Sequence, residues 1–115
     1  MKRVAIPIFK SRISPVFDTC TKMLVIDCEG VKEIQRQEIY LGKLSLYERQ
    51  RILGSLNVDV FICGGITEVF QKMIETENIQ IISGRTGDAE EVLAAFLSGK
   101  INRKKFQMPG LKTNK

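Results

Sequence analysis

Asp59–Gly65 reads DVFICGG, and Ile66–Glu75 continues as ITEVFQKMIE. Val60, Phe61, Ile62 and Cys63 make a short apolar run rich in β-formers. Its length suits a strand buried on both faces better than a helix. Gly64 and Gly65 end the run, and the pattern then changes period. Ile66, Val69, Phe70, Met73 and Ile74 fall at i, i+3, i+4, i+7 and i+8, the apolar stripe of an amphipathic helix over 66–76. A central strand turning through two glycines into a helix presents backbone N–H groups at the carboxyl end of a sheet, where open α/β folds collect ligands.

The neighbouring segments repeat this logic. Ile79–Ser83 reads as another strand, followed by a loop at Gly84–Gly87 and an S-x-x-E-like capping box at Asp88 and Glu91. Ala89, Val92, Leu93, Phe96 and Leu97 again have helical spacing, with Gly99 as a stop. Upstream, Ser45 and Glu48 form a capping box for a helix whose Leu46, Ile52, Leu53 and Leu56 face inward. Lys2–Phe9 predicts the first strand, and Lys10–Thr19 a loop rich in turn formers. Cys20–Asp27 and Val31–Tyr40 form a hairpin around Glu29-Gly30. The order β-β-β-α-β-α-β-α gives an α/β fold: a five-stranded mixed sheet, its last two strands parallel, covered by helices.

At 115 residues the chain is expected to form one domain with its own core. No apolar run reaches membrane-span length, and MKRVAIPIF is too short for a signal peptide. Three cysteines at irregular spacing argue against a disulfide framework and for the reducing cytoplasm. Histidine is absent, which removes the usual general base and leaves thiolates, carboxylates or backbone oxygens for any metal. The net charge of +5 is uneven: from Lys100 onward there are six cations and no acid, and the rest is near neutral. Basicity therefore belongs to residues 102–115, expected as a mobile tail. A nucleic-acid partner, which calls for a basic patch on the folded body, is not expected.

Three motifs carry a resemblance. Ile13-Ser14-Pro15-Val16-Phe17 follows the first strand and precedes Met23-Leu24-Val25-Ile26-Asp27. Asp59–Ile66 (DVFICGGI) and Ser83–Asp88 (SGRTGD) lead into the two later helices. In this order and spacing they resemble the dinitrogenase iron–molybdenum cofactor biosynthesis family, over residues 1–101. The resemblance implies a ribonuclease-H-like fold. It also implies a role carrying iron–molybdenum cofactor or iron–sulfur precursors. Val16 stands where many members carry a histidine that is a candidate cluster ligand, and Asp18 where glycine is common.

The resulting expectation is a cytoplasmic, non-enzymatic carrier or assembly protein for an anionic iron–sulfur or iron–molybdenum precursor, acting with a partner protein. Cys63 and Cys20, placed at one sheet end, are the metal-ligand candidates. Gly64, Gly65, Lys10, Arg12 and Arg85 are the cofactor-binding candidates, through helix N-termini and cationic charge. Thr67 and Thr86 supply hydroxyls or finish turns. Cys28, about 26 Å along the strand from Cys20 at 3.3 Å per residue, is structural. The alternative is a metal-free module that binds a partner protein or a phosphorylated small molecule. A two-metal nuclease is not expected, because the first strand has no acid and Asp59 lies at the wrong end of its strand.

Overall fold

A computed structural model of the chain describes residues 1–108. Its six strands are β1 (Lys2–Phe9), β2 (Arg12–Ile13), β3 (Lys22–Glu29), β4 (Lys32–Tyr40), β5 (Val60–Ile62) and β6 (Gln80–Ile82). The helices are α1 (Leu46–Ser55), α2 (Glu68–Glu75) and α3 (Ala89–Leu97). The sheet runs β4-β3-β1-β5-β6, with β2 a short antiparallel partner of β1. β3 runs antiparallel to both of its neighbours, β1 and β4, while β1–β5 and β5–β6 are parallel. This is the mixed α/β sheet the sequence predicts, with six strands instead of five. The sixth arises because the first loop folds back on β1, pairing Phe9 with Arg12 and Ile8 with Ile13.

Side-chain alternation divides the core between two faces. Val4, Ile6, Ile8, Val60 and Ile62 pack with Ala89, Val92 and Leu93 of α3. Ala5, Phe61 and Cys63 pack with Leu53, Phe70 and Ile74 of α1 and α2. Because both faces of β1 and β5 are covered, these strands read as continuous apolar runs. Ser45 forms the expected capping box with Glu48, and Asp88 accepts from the Glu91 N–H. In α2 the outcome differs: Thr67 is the N-cap, so Ile66 precedes the helix and Val69 is exposed. No described helix is long and apolar enough to cross a membrane.

The expected tail needs correcting at its start. Residues 102–108 turn back onto the domain through a 3₁₀ turn at Lys104–Phe106. Phe106 is buried against the α3-side core, its N–H donates to Arg103, and its carbonyl accepts from Thr86 N–H at 2.8 Å. The charge count pointed to solvent, but one buried aromatic anchors the segment. The remainder of the expected tail, 109–115, lies outside the described residues. Phe106→Ala should cost about 3 kcal/mol, the usual scale for emptying a buried phenyl site. Urea unfolding would reveal it, and an unchanged midpoint would show that the segment contributes nothing to the fold.

Candidate functional site at the carboxyl end of the sheet

Because β1 and β5 are parallel, the loops that follow them emerge at the same end of the sheet. The first loop lies directly on the glycine turn. Gly65 N–H donates to Pro15 O at 2.6 Å, and Phe17 N–H donates to Gly65 O at 3.1 Å. A Cβ on Gly64 would stand 2.7 Å from Ser14 O and 2.8 Å from Pro15 O. Close approach of two backbones is therefore what these glycines serve. The donor expected to be free at Gly65 is already used by Pro15.

Phe17 fixes the loop from beneath. Its ring stacks on Phe70 at 4.8 Å, and it meets Phe61 edge-on at 4.8 Å. Cys20 closes the turn after it, two residues before β3 begins, so it does not itself open the strand. Cys20 and Cys63 lie in one apolar cluster, on one face and at one end of the sheet. Cys28 sits across from Lys2 at the opposite end and on the α3 face.

Burial governs both thiols. Cys63 has no exposed surface, and desolvation pushes its thiol up to about 12. The Arg85 charge pulls it back less strongly, and Asp18 and Cys20 add to the rise. The sequence argument that helix N–H groups would favour the Cys63 thiolate meets this larger opposing effect. The Cys20 thiol is also raised by burial, partly offset by the Arg49 charge and by Nη1, which lies 3.6 Å from its sulfur. Both cysteines are protonated thiols at neutral pH in this conformation. Among the described residues no three His, Cys, Asp or Glu side chains are grouped to hold a metal ion.

Lys10 and Arg85 lie on loops and Arg12 on the short strand β2, and the three share no cavity. Lys10 is exposed, its ammonium 5.6 Å above the Phe9 ring, beside a cavity of about 330 Å³ on the α3 face. Arg12 is exposed, and its strand segment bridges to Asp88. Arg85 lines a cavity of about 480 Å³ by the β6 edge, where its guanidinium donates to Ser83 O at 2.8 Å and Asn102 Oδ1 at 2.7 Å. Its Nε is buried with no hydrogen-bond partner, and burial lowers its pKa. Asp18 Oδ1 is likewise buried without a partner. Thr67 caps α2, and Thr86 holds the C-terminal segment through its N–H.

One participant goes unnoticed in the sequence reading. Arg49 in α1 is only 3% exposed and has no carboxylate on its guanidinium. It donates to the carbonyls of Leu44 (3.0 Å), Phe17 (3.1 Å), Cys20 (2.7 Å) and Gly42 (3.2 Å). Its position between Leu46 and Leu53, at i+3 and i−4 on the inward stripe, is the signal that could have identified it.

Comparison with known proteins decides the family. A family model described as dinitrogenase iron-molybdenum cofactor matches residues 1–99. The chain belongs to that family. Among relatives of this family member is the uncharacterised protein MJ0580 of Methanocaldococcus jannaschii, 23% identical over 113 residues, 90% of this chain and 92% of that one. Two solved structures share its fold. The protein PH0822 has a TM-score of 0.83 at 19% identity, covering 89% of this chain and 94% of that one. The apo form of the orange protein from Desulfovibrio gigas has a TM-score of 0.74 at 14% identity, covering 93% and 96%. At such identities the structural likeness speaks for the fold alone. In this member of the dinitrogenase iron–molybdenum cofactor family, exposed Val16 bridges to Gly65 on the first loop.

Proposed function

We propose that the chain is a non-enzymatic carrier or assembly protein for an anionic iron–sulfur or iron–molybdenum precursor, taken up at the carboxyl ends of β1 and β5. The family supports a role in iron–molybdenum cofactor biosynthesis. One observation supports the location: the Arg85 Nε–H beside Cys63 is buried and unsatisfied. An orphaned buried donor costs about 1–3 kcal/mol, and more when charged, so it is a place where an anionic cargo improves the fold. Lys10 and Arg12 add attraction at the rim, and Gly64 and Gly65 shape the turn.

Cys63 is the first thiolate candidate and Cys20 the second. Ligation by either requires the loop at Ser14–Thr19 to lift and the thiol to lose its proton, so uptake releases protons and strengthens with pH. Asp18 opposes uptake, because its charge raises both thiols and repels an anion. Burial of both thiols favours the second reading, a metal-free module for a partner protein or a phosphorylated small molecule.

Iron and acid-labile sulfide retained after anaerobic incubation and desalting separate the two. Under the carrier reading, Cys63→Ser lowers retained iron to background, Cys20→Ser lowers it less, and Asp18→Asn raises it. Retention that ignores all three substitutions, or none at all, sinks thiolate ligation of a simple iron–sulfur unit and moves the reading to the metal-free module.

A further inference from the structure

The two edges of the sheet differ. β6 is three residues long, and the chain beyond it is bordered by the C-terminal segment: Met108 N–H donates to Gly84 O at 2.9 Å, and Arg85 bridges to Gln107. β4, the other edge, is nine residues long. Beyond its ladder with β3, no backbone hydrogen bond among the described residues ends on Lys32–Tyr40. Its pairing with β3 is irregular at Ile34 and unbroken from Gln35 to Tyr40. A regular edge strand turns every other residue's N–H and C=O outward, and proteins shield such edges with bulges, prolines or charge. Here the irregularity and Lys32 protect only the amino-terminal third. Ile34 (55% exposed) and Tyr40 (73% exposed) flank the open part.

We infer that β4 pairs with β4 of a second copy of this chain, antiparallel, about a two-fold axis through Gln37. In an antiparallel pair opposing side chains share a face, so a two-fold axis normal to the sheet must set one residue opposite itself. An axis through Arg36 or Glu38 would oppose like charges, which is destabilising. An axis through Gln35 would set the irregular Ile34 next to the axis, in the middle of the pairing, whereas an axis through Gln37 leaves it at the ends. With Gln37 opposite itself, Arg36 faces the second copy's Glu38 twice, and Ile34 faces the second copy's Tyr40 twice. Arg36 is already held by Glu33 and Glu90, each at 2.6 Å, and Glu38 approaches Lys22 at 3.9 Å. The added ion pair therefore contributes modestly. Backbone hydrogen bonds and the apolar pairs hold the contact, and charge selects its register. The pairing uses none of the cysteines, although Arg36, Gln37 and Glu38 line the same α3-face cavity as Lys10.

Light scattering on the full chain should show a mass rising with concentration from 13.0 kDa toward twice that value. Ile34→Lys with Tyr40→Lys, both at exposed positions, should hold the mass at one chain while leaving the circular dichroism spectrum unchanged. Gln37→Cys should form an intermolecular disulfide on mild oxidation, since directly opposed residues lie within disulfide reach. Gln35→Cys, facing Ile39 of the second copy, should not. The native cysteines are all buried and take no part. A mass of one chain at every concentration overturns the proposal, as does equal cross-linking at positions 35 and 37.

Discussion

Arg49→Met should unfold at much lower urea than the parent, losing about 3–5 kcal/mol. Four carbonyls, on Phe17, Cys20, Gly42 and Leu44, lose their donor together. Each buried acceptor left without a partner costs about 1–3 kcal/mol, partly returned because a buried charge no longer has to be desolvated. The guanidinium also lies 5.7 Å from the centre of the Phe17 ring, so packing is lost as well. A 115-residue domain has about 5–15 kcal/mol in all, so the variant would be near its threshold. Arg49→Lys should recover less than half, since an ammonium has three donors and no planar fork to reach both loops. Equilibrium unfolding of the three proteins decides it. Parental stability in the methionine variant would mean that water replaces the guanidinium without loss.

Gly64→Ala should lift the first loop. The added methyl would meet Ser14 O and Pro15 O at 2.7 and 2.8 Å, and both are backbone atoms with no rotamer to yield. The φ angle at Gly64 is not in the left-handed region, so the demand for glycine is one of space alone. Relieving the contact displaces residues 14–17 and strains the Pro15–Gly65 and Gly65–Phe17 hydrogen bonds, for a loss of about 2–3 kcal/mol. The second readout is chemical. In the parent, Cys20 and Cys63 are buried thiols and should resist a disulfide reagent at pH 8. In the variant their labelling should be at least about tenfold faster, because the cover has moved. Unchanged stability together with unchanged protection would show that the loop is seated by Phe17 and not by the glycine turn. If the carrier reading holds, the same variant should take up iron and sulfide faster, since uptake begins with this displacement.

Much of the architecture was legible because it is written in local periods. The apolar run at 60–63, the helical stripe at 89–97 and the caps at Ser45 and Asp88 depend on residues within a turn or two of each other. The motifs that mark the family are equally local. The limits of that reading are instructive at α2. Val69 fits the helical stripe, yet it is exposed in the first turn of a helix that begins only at Glu68, after the Thr67 cap.

What the sequence by itself determined is the order of strands and helices, the two-sided burial of β1 and β5, and the family. Tertiary structure alone decided the rest. Arg49 finds its acceptors 29 and 32 residues away, and Phe106 finds the α3-side core only after the chain has turned back. Cys63 became a deeply buried, protonated thiol because the Ser14–Phe17 loop closes over Gly64 and Gly65. The physical reason is common to all three. Periodicity reports which face of its own element a residue occupies, whereas desolvation and hydrogen bonding depend on which distant segment arrives to cover it.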